Sequence, residues 1–286
     1  MLIFFGTSPR SAKFLKLAAG NGNKFDLIVS EPPKPIGKKQ ILTENPTVLT
    51  AKELKIDFIT SFEKLKPDHL ALGLILDFNK IIPTQVINLF KMGIINVHFS
   101  KLPRYRGPAP VQYTILNGDP QAWITYYLIS EKLDAGKILK QILLDLDFTE
   151  NTESLYQKLI AKSALEIKNV LEEYLGGKIT PAPQQGTPSS THKLTTENCR
   201  IDWSKKPTEI ERLIRAAYPE PGAWTFLRPS ILLRTSEGQA RRLKILKAHL
   251  ENNQLVLDQV QLEGKNPVAF KQFQQGYPDI NLTFKV

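Results

Sequence analysis

Asn96 and His98 stand two residues apart in GIINVHFS, residues 93–100. Side chains along a strand alternate between faces, so the amide and the imidazole project to one side while Val97 packs away from them. An imidazole exchanges protons near neutral pH, and a carboxamide donates hydrogen bonds without carrying charge. Open α/β sheets bind ligands beyond the carboxyl ends of their strands, which is where this pair falls. Asp134 lies in Lys132-Leu133-Asp134-Ala135-Gly136, downstream of Thr125, and offers a carboxylate from a turn. Arg104 and Arg106 follow His98 in SKLPRYRGPAP, where proline and glycine exclude regular helix or strand. Two arginines there can hold an anionic ligand by forked hydrogen bonds. Taken singly, each feature also has a structural explanation: a buried histidine, turn chemistry at Asp134, and loop charges that face solvent.

The elements that must position these groups are visible as patterns. Short apolar runs at 2–5, 25–29, 70–76, 94–98, 123–129 and 138–144 read as strands, and 11–19, 48–54, 84–89 and 110–116 read as helices. Strands alternating with helices predict an α/β domain whose mostly parallel, doubly wound sheet is covered on both faces. After Asn151, the residues Leu155, Leu159, Ile160, Ala164, Ile167, Leu171 and Tyr174 share one face at helical spacing. Asn151 or Thr152 can cap that helix, and Gly176-Gly177 stops it. From residue 181 the chain runs PAPQQGTPSSTHKLTT, and 181–198 reads as a linker between a first domain, 1–180, and a second, 199–286. The second domain shows a helix over 208–218 and strands at 224–227, 231–234, 243–250, 254–262 and 280–284. Short strands in that density predict a small OB-like β-barrel.

Composition narrows the function classes. Lys and Arg number 38 against 28 Asp and Glu, a net charge of +10 over 286 residues, which favours polyanionic partners such as RNA or anionic cofactors. A single cysteine, Cys199, excludes a disulfide framework and a thiolate-rich metal site, and no metal is expected. The apolar start of MLIFFGTSPR is too short for a signal peptide or a membrane span, so a cytoplasmic chain with no membrane partner is expected. FGTSPRS has one glycine where a nicotinamide-dependent dehydrogenase needs G-x-G-x-x-G, which excludes that enzyme class.

The string NVHFSKLPRYRGPAPVQYTILNGD, followed by LDAG, resembles the core signature of the folate-dependent formyltransferases. Residues 199–227, with IDW, IRA and PGAWT, and the later stretch LEGKNPVAFKQFQQGYP are similar to the second domain of the methionyl-tRNA formyltransferases. The resemblance implies Asn96, His98 and Asp134 as a catalytic trio, 10-formyltetrahydrofolate as co-substrate, and the initiator methionyl-tRNA as acceptor. In the implied mechanism Asn96 meets charge on the formyl oxygen and His98 orients the amine and takes its proton. Asp134 fixes the imidazole or a bound water and assists protonation of the leaving nitrogen. The resemblance further implies that Ser100, Lys101, Leu102 and Pro103 contact the folate and that Arg104 and Arg106 bind substrate. The loop over residues 31–46, with Lys34, Lys38 and Lys39, would enter the acceptor end of the tRNA. Arg212, Arg215, Arg241, Arg242, Lys244 and Lys247 of the second domain would grip phosphates, and the chain would act as a monomer.

Four positions depart from the pattern of the family. Lys101 replaces a leucine, Trp123 replaces a glycine in the strand that carries Thr125, and Asp77 and Asn79 stand at the alanine and glycine of a turn. If position 79 needs positive φ in that turn, Asn is the best non-glycine substitute there, while Asp77 has no physical reading from the sequence. Trp123 either fills the site or packs outward. Two other functions are compatible with these residues: a formyltransferase acting on a nucleotide-linked amino sugar, and a non-catalytic RNA-binding protein on the same scaffold.

Overall fold

The computed structural model describes residues 1–66, 71–227 and 241–278. The apolar opening forms β1 (Leu2–Phe5), in which Ile3, Phe4 and Phe5 are wholly buried, and turns at once into α1 (Pro9–Gly20). Ser8 caps that helix by accepting from the Arg10 and Ser11 amides, and Pro9 sits in its first turn, where no amide hydrogen is needed. There follow β2 (Leu27–Val29), β3 (Lys34–Ile36), β4 (Ile41–Thr43), α2 (Pro46–Glu53), β5 (Phe58–Ile59), β6 (Leu72–Ile75) and α3 (Thr84–Ile87). Next come β7 (Ile94–His98), α4 (Pro110–Asn117), β8 (Gln121–Leu128), β9 (Ile138–Asp145) and α5 (Thr152–Leu175). Asn151 caps α5, since its side chain accepts from the Ser154 amide at 2.9 Å while Ser154 Oγ accepts from the Asn151 amide at 3.0 Å.

Seven strands form one sheet in the order β5-β2-β1-β6-β7-β8-β9. The strands from β5 to β7 run parallel, and β8 runs antiparallel to β7. The expected mostly parallel α/β sheet is therefore present. Near-complete burial of β1 and β6 follows from cover on both faces. On one face Ile3, Phe5, Val29, Ile75 and Ile94 pack with Val86 and Phe90 around α3, while Phe4 on the other stacks on Phe14 of α1 at 5.7 Å.

Two short strands lie where the sequence reading expected only a loop: β3 and β4 pair antiparallel as a separate hairpin over residues 34–43. Three-residue strands with both faces exposed carry no hydrophobic alternation by which to find them.

The chain divides into two compact units that interleave in sequence. One comprises Met1–Gly107, Ala122–Leu144 and Tyr156–Ser190, and the other Pro108–Gln121, Asp145–Leu155 and the chain from Thr191 onward. The segment read as a linker is shared between them. Up to Ser190 it is strapped to the first unit: Ala182 and Ile138 exchange backbone hydrogen bonds of 2.8 and 2.9 Å, and the Arg106 amide donates to the Ser189 carbonyl at 2.8 Å. Its composition lacks core-forming side chains, and its backbone pairs nonetheless.

The second unit holds α4, α6 (Pro207–Ala217), β10 (Ala223–Phe226), β11 (Arg242–Glu251), β12 (Gln254–Leu262), β13 (Val268–Ala269) and α7 (Phe270–Gly276). Among its described residues, four strands form an antiparallel sheet in chain order, over a core that includes Ile210, Ile214, Trp224, Leu243, Ile245, Val260 and Phe273. The strands expected at 231–234 and 280–284 lie outside the described residues. Cys199 is wholly buried in this core, and burial pushes its thiol up to about 11. A thiol reagent at neutral pH should therefore react only after unfolding, whereas stoichiometric labelling of the folded chain would contradict the packing.

Gly136 is fixed by space rather than by a positive φ. A Cβ on Gly136 would run into the carbonyl oxygen of Leu128, so the turn after β8 closes only with hydrogen at that position. Gly136→Ala should cost about 1–3 kcal/mol in a urea titration.

Candidate active site

Strand pairing between β7 and β8 sets the site. Asn96 lies opposite Tyr127 and His98 opposite Thr125, so all four side chains share one sheet face. Between them Val97 and Tyr126 face the other way. Tyr126 is buried and donates to the Ser163 carbonyl of α5 at 3.0 Å, which anchors that face. The pair read from the sequence is thus displayed from one rigid strand.

Asp134 completes the trio. Its side chain is 7% exposed, as is that of His98, and its Oδ2 stands 3.8 Å from His98 Nδ1. The carboxylate accepts from the Gly107 amide at 2.7 Å through Oδ2 and from the Tyr127 hydroxyl at 2.6 Å through Oδ1. The Asn96 amide nitrogen in turn donates to Tyr127 Oη at 2.9 Å. Asp134 has a positive φ of 49°, so backbone strain is accepted to bring the carboxylate inward. Burial first, then the Asp134 charge, holds the Tyr127 phenol well above its ordinary range, so the hydroxyl stays a neutral donor.

His98 Nε2 lies 2.9 Å from the carbonyl oxygen of Tyr105, which can only accept, so Nε2 carries the hydrogen. In the neutral ring the free lone pair is then on Nδ1, the atom that faces Asp134. Tyr105 also has positive φ, 58°, and its amide donates to Ser189 Oγ at 2.9 Å. Sequence reading missed both tyrosines. Tyr127 could have been found from its place two residues after Thr125, while the carbonyl of Tyr105 leaves no side-chain signal.

The arginines part ways. Arg106 donates twice to Gln184 Oε1, at 3.2 and 2.5 Å, and Gln184 Nε2 donates to the carbonyls of Asp134 and Gly136. Arg106 therefore braces the Asp134 turn and lies near enough for its charge to be felt at Tyr127. Arg104 lies over the Tyr105 ring at 4.7 Å and donates to its hydroxyl at 2.7 Å.

In the turn after β7, Ser100, Leu102 and Pro103 are buried and Lys101 is exposed. Thr125 Oγ1 donates to the Ser100 carbonyl at 2.6 Å and accepts from Gln141 at 3.0 Å, which locks this turn to β8. Trp123, two residues before Thr125, shares its sheet face, and the Lys101 ammonium lies 4.3 Å from its ring centroid. The two family departures contact each other as a cation–π pair.

In the turn after β6 the positive φ, 51°, falls on Asp77, and Asn79 does not need it. Its carboxylate accepts from Ser8 Oγ at 2.6 Å and from Arg10 at 3.3 Å, and its carbonyl accepts from Ser11 Oγ at 2.9 Å. Tying β6 to the cap of α1 rewards an aspartate in a left-handed conformation.

Lys34 pairs with Glu31 at 2.8 Å, and Lys38 and Lys39 are exposed at the tip of the hairpin. Among the described residues, no hydrogen bond or ion pair joins these lysines to the trio. In the second unit Arg215 is held internally by Glu211 and the Glu150 carbonyl, and Arg242 lies 4.8 Å from the Trp224 ring centroid. Among the described residues no group of three or more His, Cys, Asp and Glu gathers to hold a metal, and no helix is long and apolar enough to cross a membrane.

Comparison with known proteins accords with this geometry. Residues 1–170 match the formyl transferase family and residues 193–255 the formyl transferase C-terminal domain. The chain belongs to the formyl transferase family. A methionyl-tRNA formyltransferase of Thermodesulfovibrio yellowstonii is 31% identical over 299 aligned residues, covering 96% of this chain and 95% of that protein. Among solved structures, a methionyl-tRNA formyltransferase from Clostridium thermocellum is similar with a TM-score of 0.63 at 19% identity, over 92% of this chain and 98% of that one. An N-formyltransferase from Helicobacter canadensis, solved with folinic acid and dTDP-3-aminofucose, is similar with a TM-score of 0.62 at 22% identity, over 88% of each chain. The chain thus has the fold of both.

Thr125→Val keeps shape but leaves the Ser100 carbonyl without its donor and Gln141 with only the Leu102 carbonyl. It should lower stability by about 1–3 kcal/mol, measured by urea unfolding, and an unchanged midpoint would remove Thr125 from the site's framework.

Proposed function

We propose that the chain transfers the formyl group of 10-formyltetrahydrofolate to the α-amine of methionyl-tRNA, with Asn96, His98 and Asp134 as the catalytic groups. The observation that carries the reading is the buried carboxylate of Asp134 facing His98 Nδ1 on the face that also displays Asn96. Formyl transfer forms one C–N bond and breaks another, and the attacking amine must lose a proton. His98 Nδ1 has the lone pair to accept that proton, and the Asp134 carboxylate faces the imidazolium so formed. An N–H of Asn96 offers a donor for charge that develops on the formyl oxygen. Asp134, still ionised, then steadies the imidazolium as His98 returns its proton to the leaving nitrogen.

The chain's own residues suit a reduced folate beside this trio. Half-buried Trp123 offers an aromatic surface and Lys101 a cation, a combination that matches a flat ring bearing an anionic tail. Ser100, Leu102 and Pro103 shape that wall mainly through the backbone, since their side chains are buried.

For the acceptor, likeness along nearly the whole of the Thermodesulfovibrio protein supports methionyl-tRNA. The net charge of +10 and a hairpin bearing Lys34, Lys38 and Lys39 beside exposed Ile36, Ile41 and Leu42 suit a polyanion with apolar contact surface. The fold does not discriminate, because the solved amino-sugar enzyme is as similar as the solved tRNA enzyme. Arg215 takes no part in the proposed phosphate contacts. On this reading the chain works in the cytoplasm.

Incubation with labelled formyl donor and either methionyl-tRNA or a nucleotide-linked amino sugar should label the tRNA alone, with binding that weakens steeply as salt rises. Label on the sugar alone would transfer the assignment to that class. Asn96→Ala and His98→Ala should each lower turnover at least roughly a hundredfold with the fold intact, and near-normal turnover in either sinks the site assignment.

A further inference from the structure

Tyr127 is the largest polar side chain on the site's face that the proposed reaction leaves without a task. Its hydroxyl lies between Asn96 Nδ2 at 2.9 Å and Asp134 Oδ1 at 2.6 Å, and the residue is 2% exposed. A phenol has one hydrogen to give. Asp134 Oδ1 belongs to a carboxylate that already accepts the Gly107 amide on its other oxygen, so Tyr127 must donate to it. With that hydrogen committed, Tyr127 can only accept from Asn96. The Asn96 carboxamide is therefore held with its NH2 group toward Tyr127, and its second N–H takes a fixed direction.

We propose that Tyr127 is a positioning residue for formyl transfer, whose hydroxyl locks the orientation of the Asn96 amide to the Asp134 carboxylate. The inference rests on the reading of Asn96 as the donor to the formyl oxygen. A carboxamide without this clamp rotates by half a turn between its oxygen and its NH2, and half of those orientations present an acceptor to developing negative charge. A fixed donor avoids that loss. The groups around the hydroxyl keep it in its neutral, donating form: Asp134 from the turn and burial on β8 resist ionisation more than Asn96 from β7 and the charge of Arg106 favour it, and His98 stands edge-on to the ring at 6.4 Å. The bridge thereby ties three separate segments, β7, β8 and the Asp134 turn, into one hydrogen-bonded line.

Tyr127→Phe keeps the ring and removes only the bridge. It should lower kcat roughly tenfold to a hundredfold while KM for donor and acceptor changes little. Because Tyr127 acts through Asn96, adding Asn96→Ala to Tyr127→Phe should cost much less than Asn96→Ala costs alone. Fully additive losses, or wild-type kcat in folded Tyr127→Phe, overturn the proposal. Wild-type turnover in Asn96→Ala itself would instead defeat the underlying site assignment, so the two failures are distinguishable. If Tyr127→Phe does not fold, the side-chain NH2 of Asn96 in the wild-type protein can be followed by nitrogen-15 NMR. The clamp predicts hydrogen exchange at least about tenfold slower than at exposed Asn88, and equal exchange overturns it.

Discussion

A carboxylate taken out of water must be met by donors, and Asp134 meets that demand from two directions. Tyr127 approaches along β8 and the Gly107 amide comes from the loop after β7, while the His98 ring stands 3.8 Å away on β7 with Nδ1 toward the carboxylate. Each donor belongs to a different segment, so the charge cannot be buried unless both are in register. Removing either leaves an ion short of partners in a buried position, which costs several times more than the bond itself is worth. The positive φ of Asp134 and the glycine at 136, where a side chain would strike Leu128, follow from the same need to turn the carboxylate inward.

The framework around that ion works by exchange between side chains and backbone. Thr125 holds the turn that follows His98, Gln184 bridges Arg106 to the Asp134 turn, and the strap over residues 181–190 closes the outer side through backbone pairs. A fixed imidazole and a fixed amide result. In such a site the protein need only orient the reactants and meet charge as it develops, the contributions that most lower the barrier to acyl-type transfer.

Much of this was visible in the sequence, and the rest was hidden for identifiable reasons. The β7 pattern alone places Asn96 and His98 on one face, and period-two reasoning holds because the strand is buried on both sides. Tyr127 reads from the sequence as an ordinary strand residue, because its partner is fixed by the antiparallel register with Asn96, a non-local fact. Tyr105 acts through a carbonyl, which no residue type announces. Asp77 has no reading from residue type alone, and its left-handed conformation is explained only by Ser8 and Arg10, which engage its carboxylate from a distant segment. Lys101 and Trp123 looked like two separate departures and prove to be one contact. The hairpin at 34–43 and the paired strap beyond 181 were invisible to periodicity, since neither buries a hydrophobic face.

The central claim is that His98 stands where the formyl donor binds, and the histidines provide a direct reading of it. The chain has four, of which His192 and His249 are exposed in the second unit. Ring nitrogen-15 shifts followed while folinic acid is added should move for His98 and stay fixed for His192 and His249. Saturable folate binding that leaves the His98 signals unmoved would contradict the account.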